Sequence, residues 1–180
     1  MYVSSTAKGA VVACFVALLP LPATAEMDGA CGPAVGTFLM TNKLDNNGNT
    51  GSSRSLLVLT NGGYVLRFDS DEMSAVIDSR PFGDSAGTWR CDGVDDNGTM
   101  RLTATMLDFT YPNAEGDKGQ IARIDATGKV SPSGDTLELT GDLGFLPLEA
   151  DAGSADALSK ASGPIAITLS GKRIEVPSTP

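Results

Sequence analysis

Apolar and polar residues alternate with a period of two along much of this chain, and no other sequence feature restricts the fold as strongly. In segments 100–106, 137–143 and 165–169, every second residue is apolar or small and the residues between them are mostly polar. Strands that bury one face and expose the other give this pattern, whereas the buried strands of a parallel α/β sheet read as continuous apolar runs. The alternation therefore predicts an antiparallel sheet with one buried face.

Short β-type runs follow one another between turn-forming residues such as Asn61-Gly62-Gly63 and Asn97-Gly98. The Ala-rich segment 150–161 predicts a short surface helix or a lid-like loop before the last strand. Closing such a meander removes exposed sheet edges. We therefore expect an all-β fold, a single antiparallel up-and-down β-barrel of about eight or nine strands. The predicted strands are residues 35–43, 55–60, 64–69, 73–78, 87–92, 99–111, 120–130, 136–142 and 165–174.

Residues 1–25 have the organisation of a cleavable secretory signal peptide. Lys8 precedes an uncharged apolar run, 9–21, and Ala23-Thr24-Ala25 supplies the small residues that signal peptidase requires. The run is too short to cross a hydrocarbon core of about 30 Å as a helix. We expect export to the periplasm or the exterior, with no membrane anchor after cleavage, a barrel domain over residues 26–176 and a disordered tail over 177–180.

The cysteines fit an oxidising compartment. Cleavage would remove Cys14 and leave Cys31 and Cys91. Two thiols in an exported protein usually pair, so a disulfide between them is predicted. The alternative, a reactive thiol, has only Arg90 as a neighbouring cation in the sequence.

Charge and composition exclude several classes of function. The formal charge is −9 and cleavage would remove one base, Lys8, so binding to nucleic acid is not expected. The chain has no histidine, which excludes the Ser-His-Asp and Cys-His triads and most catalytic zinc sites. The Asp/Asn-rich segments 45–49, 69–72 and 92–97 lack EF-hand spacing and are interpreted as turns. No metal, cofactor or catalytic residue is predicted.

Two stretches of the sequence resemble the lipocalin or calycin-type barrels. Gly36-Thr37-Phe38 opens the first predicted strand where such proteins carry G-x-W, and Gly87-Thr88-Trp89 repeats the pattern. Segment 56–68, followed by the second motif and a long amphipathic strand, resembles small exported bacterial proteins with lipocalin-like barrels. The resemblance implies a barrel that holds a small hydrophobic ligand, and it brings no catalytic residues with it.

Aromatic and charged residues on the strands supply the candidate ligand contacts. Trp89 and Phe68 are predicted to pack in the core, whereas the hydroxyl groups of Tyr64 and Tyr111 need partners if they are buried. The predicted ligand-binding residues are Tyr64, Trp89, Arg101, Phe109 and Tyr111.

Three arginines, Arg67, Arg101 and Arg123, lie on positions opposite to those assigned to the apolar residues of their strands. Most such arginines face solvent. One that points into a barrel could pair with Asp108 or Asp125 and bind a ligand that carries a carboxylate.

Three functions stay open from the sequence. The first is a carrier of a small hydrophobic molecule, the second is a barrel enzyme of the cyclase or isomerase type, and the third is a structural or interaction module of the cell envelope with a basic partner. A raised carboxyl pKa near Tyr64 or Tyr111 would favour the enzyme. The oligomeric state is left open.

Overall fold

Eight antiparallel strands form a closed barrel in simple chain order, and β8 pairs with β1 to close it. The computed structural model describes residues 29–70, 81–112, 116–175 and 177. The strands are β1 (Gly36–Asn46), β2 (Asn49–Leu59), β3 (Tyr64–Asp69), β4 (Ser85–Val94), β5 (Met100–Thr110), β6 (Gln120–Val130), β7 (Thr136–Leu146) and β8 (Ser162–Arg173).

The predicted fold class is confirmed, including the up-and-down order. The bounds of β3 and β6 are those predicted, and most of the other strands are longer than the sequence pattern indicated. The predicted strand 73–78, the signal peptide 1–25 and residues 178–180 of the predicted tail lie outside the described residues.

The interior of the barrel is mostly apolar. The centre of an eight-stranded barrel is just wide enough for side chains to fill. Every second residue of each strand points inward, as the alternation predicted. The inward side chains that are almost completely buried include Phe38, Met40, Leu57, Leu59, Val65, Met100, Leu102, Met106, Leu137, Leu139 and Leu169.

One end of the barrel is closed by the segment that precedes β1. A short 3-10 helix, Gly29–Ala34, packs Cys31 and Ala34 against the core. Cys31 forms a disulfide with Cys91 of β4, which confirms the predicted pairing. Arg173 at the end of β8 donates to the backbone carbonyls of residues 33, 35 and 134, with its guanidinium 4.8 Å from the ring centroid of Phe38. We call this the closed end.

The outer wall of β3 corrects one sequence interpretation. Phe68 was predicted to pack in the core, but its side chain is 42% exposed, and Tyr64 and Leu66 share its outward face. Val65 and Arg67 point inward instead. The prediction was wrong because the outward residues of β3 are larger and more apolar than the inward pair. Trp89, by contrast, is buried as predicted.

The connection between β7 and β8, residues 147–161, folds back over the outer wall. It contains the second 3-10 helix, Ala157–Lys160, which agrees with the predicted short helix before the last strand. Ala152 and Ala157 pack with Ile121 of β6 and Leu146 of β7 in a small apolar cluster outside the barrel. We call this segment the covering loop.

Candidate ligand-binding site at the polar end of the barrel

The inward side chains change character from one end of the barrel to the other. Near the closed end they are large and apolar. At the opposite end, which we call the polar end, polar and charged side chains from β1 to β5 point inward, and six of them form a cluster. This polar cluster consists of Asn42, Ser55, Arg67, Asp69, Ser85 and Asp108.

Strand register brings these side chains together from distant parts of the sequence. Ser55 of β2 lies opposite Asp69 of β3, and Arg67 of β3 lies opposite Ser85 of β4. Directly opposed residues of antiparallel strands have Cβ atoms about 5 Å apart, so their side chains meet on the same face.

Arg67 is the only basic member of the cluster and is 5% exposed. One of its terminal nitrogens, Nη2, forms an ion pair with Oδ2 of Asp69. Its Nε–H is buried and has no acceptor among the residues that the structure describes. Burial lowers the pKa of Arg67, and the carboxylates of Asp69 and Asp108 raise it. A buried donor without an acceptor costs about 1–3 kcal/mol, so an acceptor that reached Nε would be favoured.

Asp108 of β5 is the third charged member of the cluster, after Arg67 and Asp69, and it is 4% exposed. Its Oδ1 accepts hydrogen bonds from the backbone N–H groups of Gly83 (3.0 Å) and Phe109 (2.5 Å). From the residues that the structure describes, its Oδ2 accepts only a longer bond, from the Ser85 hydroxyl at 3.3 Å. Burial raises the pKa of Asp108 to about 6 against the lowering effects of these donors and of Arg67.

Asn42 holds the Asp69 side of the cluster in place. Its amide nitrogen donates to Oδ2 of Asp69 at 3.0 Å and to the hydroxyl of Ser53 at 2.9 Å. Its amide oxygen accepts from the hydroxyl of Ser55 at 2.9 Å. These bonds orient Asp69 toward Arg67, so a network of hydrogen-bonded side chains holds the guanidinium in position.

The five residues predicted to bind ligand do not meet inside the barrel. Trp89 points inward near the closed end, where its Nε1 donates to the carbonyl of Thr60 at 3.0 Å. Arg101 faces outward, and three aromatic side chains are more than half exposed on the outer wall: Tyr64, Phe109 and Tyr111. A role of these five residues in ligand binding stays a prediction.

Two of them lie beside the polar cluster: Phe109, whose backbone N–H donates to Asp108, and Tyr111. A Cβ atom placed on Gly83 would be 3.3 Å from the Tyr111 hydroxyl and 3.5 Å from Oδ1 of Asp108, so both groups lie beside this glycine.

Sequence reasoning missed most members of the polar cluster, although one signal was available. Asp108 has the same parity along β5 as Met100 and Met106, so the alternation already placed it on the inner face. Asn42 and Ser55 carried a weaker signal, because apolar residues of both parities, such as Leu39 and Val58, occur in β1 and β2, and Ser85 precedes the predicted strand 87–92.

Arg123 occupies a different kind of site on the outer wall. Its Nε donates to both carboxylate oxygens of Asp125 at 3.0 Å, and its Nη1 donates to the carbonyls of Ala152 and Ser154 in the covering loop. The side chain is 4% exposed because the loop covers it. Arg123 thus attaches the loop to the barrel and does not face the interior.

Other features of the described residues indicate no further chemistry. Two surface pockets of about 500 and 620 Å³ lie away from the polar cluster, the first between Leu39 and Lys172 and the second beside Lys43. In the described part of the chain, no group of three or more acidic or cysteine side chains could hold a metal ion. Within those same residues, no helix is long and apolar enough to cross a membrane.

Comparisons with known proteins provide no relative. No protein-family model, no curated protein and no solved structure matches the chain. The arrangement of the residues is therefore the basis for assigning a function.

Proposed function

We propose that this protein is an exported, lipocalin-like barrel that binds a small amphipathic ligand at its polar end. The predicted signal peptide supports export, and the Cys31–Cys91 disulfide fits an oxidising compartment. The closed eight-stranded meander is the architecture that the lipocalin resemblance implies.

The two ends of the barrel support the position of the site. The closed end is covered by a 3-10 helix, tied by a disulfide and filled by large apolar side chains. The polar end carries polar and charged inward side chains, which can contact the polar group of a ligand. A ligand would therefore enter at the polar end.

The buried Nε–H of Arg67 is the observation that carries the proposal. A ligand with an acceptor such as a carboxylate or a carbonyl would complete its hydrogen bonding, with the fixed fork geometry that suits carboxylates. Leu57 lies opposite Arg67 on β2, and Met106 precedes Asp108 by one inward position. These two side chains would contact the apolar part of the ligand.

Isothermal titration calorimetry with octanoate tests the proposal. We expect the unmodified protein to bind one octanoate, and Arg67→Gln to weaken binding at least about tenfold, because a charge-assisted hydrogen bond contributes about 1.5–3 kcal/mol. Arg123→Gln is the matched control and should bind as the unmodified protein does. Equal affinity of the two variants would contradict the proposal, as would absence of binding to the unmodified protein.

The carboxyl group of Asp108 favours a second candidate, an enzyme that uses acid–base chemistry. Its pKa of about 6 lies near neutral pH, and the Tyr111 hydroxyl lies close by. A mixture of small molecules extracted from the source cells can be incubated with the protein and with Asp108→Asn. A product formed only by the unmodified protein would support an enzyme, and identical mixtures would argue against it.

A further inference from the structure

The charges of the polar cluster restrict which ligands can enter it. The cluster contains one cation, Arg67, and two carboxyl groups, Asp69 and Asp108. When both carboxyl groups are ionised, the cluster already carries one net negative charge in a buried position. A ligand carboxylate would place three carboxylates around one guanidinium and raise the net negative charge to two, which is unfavourable where water is excluded.

We infer that a carboxylate ligand enters this site together with one proton, which binds to Oδ2 of Asp108. This inference rests on the proposed function. Neutral ligands with a carbonyl, such as amides, would enter without a proton, since they add no charge.

The hydrogen bonds of Asp108 determine which oxygen takes the proton. Oδ1 is engaged by two backbone N–H groups, from Gly83 and Phe109, which donate and cannot accept. Among the described residues, Oδ2 receives only the 3.3 Å bond from Ser85, whose hydroxyl can rotate to accept instead. A proton on Oδ2 would make Asp108 a donor to one ligand oxygen while Arg67 Nε–H donates to the other.

The surroundings of Asp108 identify it as the group that titrates. Among the described residues, the charged side chains on its side of the barrel wall are Arg67 and Asp69 of β3, and β4 contributes the uncharged Ser85. On β6, the residue opposite Asp108 is Ala122. The two carboxyl groups differ in their donors and burial: Oδ2 of Asp69 is bound by Arg67 and Asn42, whereas burial raises the pKa of Asp108 to about 6.

Calorimetry in two buffers with different ionisation enthalpies counts the protons taken up on binding. At pH 7.5 we expect about one proton per octanoate, because a carboxyl of pKa near 6 is almost fully ionised there, and much less than one at pH 5. Octanamide should bind with no proton uptake at either pH. Asp108→Asn should bind octanoate without proton uptake.

The outcomes separate this inference from the proposed function. Binding of octanoate at pH 7.5 without proton uptake would overturn the inference and leave the proposed function standing. Failure of both octanoate and octanamide to bind would overturn the proposed function and the inference together. Because the octanamide comparison uses the unmodified protein, the test stands even where Asp108→Asn fails to fold.

Discussion

Two buried arginines on opposite faces of the barrel wall show how differently the fold uses the same side chain. Arg67 points inward and Arg123 points outward, and each is at most 5% exposed. The Nε–H of Arg123 donates to both carboxylate oxygens of Asp125, and its Nη1 donates to two carbonyls of the covering loop. Arg67 has one carboxylate on Nη2 and a buried Nε–H without an acceptor among the described residues.

The difference separates a structural site from a candidate binding site. The Arg123 site stabilises the covering loop. The Arg67 site retains a neutralisable carboxyl and a donor that has no acceptor among the described residues, which is why we propose that a ligand completes its hydrogen bonding. The following variants test this contrast, from the largest expected effect on the free energy of unfolding to the smallest.

Replacing Arg67 should have the largest effect. Arg67→Met leaves Asp69 and Asp108 buried without their cation, and breaking a buried pair in this way typically costs about 3–5 kcal/mol. Urea unfolding at pH 7.5 measures the loss. A loss below about 1 kcal/mol would mean that Arg67 is solvated in the folded protein, since only buried partners carry the larger cost.

Stability should depend on pH through Asp108. Its pKa is about 6 in the folded protein against 3.8 for the ordinary group. The contribution of Asp108 to the free energy of unfolding is therefore fully present below pH 3.8, the pKa of the group in the unfolded chain. It is lost as the pH rises through about 6, the pKa in the folded protein. The full pKa difference corresponds to about 3 kcal/mol, at about 1.4 kcal/mol for each unit, and about 2 kcal/mol of this is lost between pH 4 and pH 7.5.

Asp108→Asn is the control for this pH dependence, because the amide does not titrate. Urea unfolding at several pH values should give a flatter profile for the variant than for the unmodified protein. Parallel profiles would show that another group is responsible.

Replacing Arg123 should have a smaller and more local effect. Arg123→Met removes the bonds to Ala152 and Ser154, and hydrogen bonds to charged groups contribute about 1.5–3 kcal/mol where they are buried. Hydrogen exchange followed by mass spectrometry should show faster exchange in residues 147–161. Octanoate affinity should not change, and a change would contradict the separation of the two sites.

Breaking the exposed ion pair of Lys129 and Glu138 should have the smallest effect on the free energy of unfolding. Its Nζ–Oε2 distance is 3.1 Å, but both side chains are more than half exposed. Lys129→Ala should change the free energy of unfolding by less than about 0.5 kcal/mol in the same urea measurement. A larger change would mean that burial does not explain the ranking of these sites.

The fold was predictable from the sequence wherever apolar and polar residues alternate regularly. Turn residues were informative too: Gly63 and Gly98 adopt positive φ values of 77° and 81°, as the predicted turns require. On β5, β7 and β8 the apolar residues of one parity are the inward ones, so both strand and face followed from the sequence.

The site was less predictable for two reasons. Its residues meet only through the pairing of different strands, and the outer face of β3 is more apolar than its inner face. The inward position of Arg67 contradicts the simple reading of β3, where Leu66 and Phe68 look like core residues. Arg67 is accommodated because Asp69 follows it by one inward position and Asp108 approaches from β5. Such compensation between strands cannot be read from one strand alone.

Nuclear magnetic resonance of the arginine Nε–H groups tests the central claim most directly. The signal of Arg67 can be identified by its absence in Arg67→Gln, and that of Arg123 by its absence in Arg123→Gln. On addition of octanoate, the Arg67 Nε–H signal should shift strongly while the Arg123 signal stays in place. A stationary Arg67 signal under conditions where octanoate binds would show that the ligand lies elsewhere and would contradict the account.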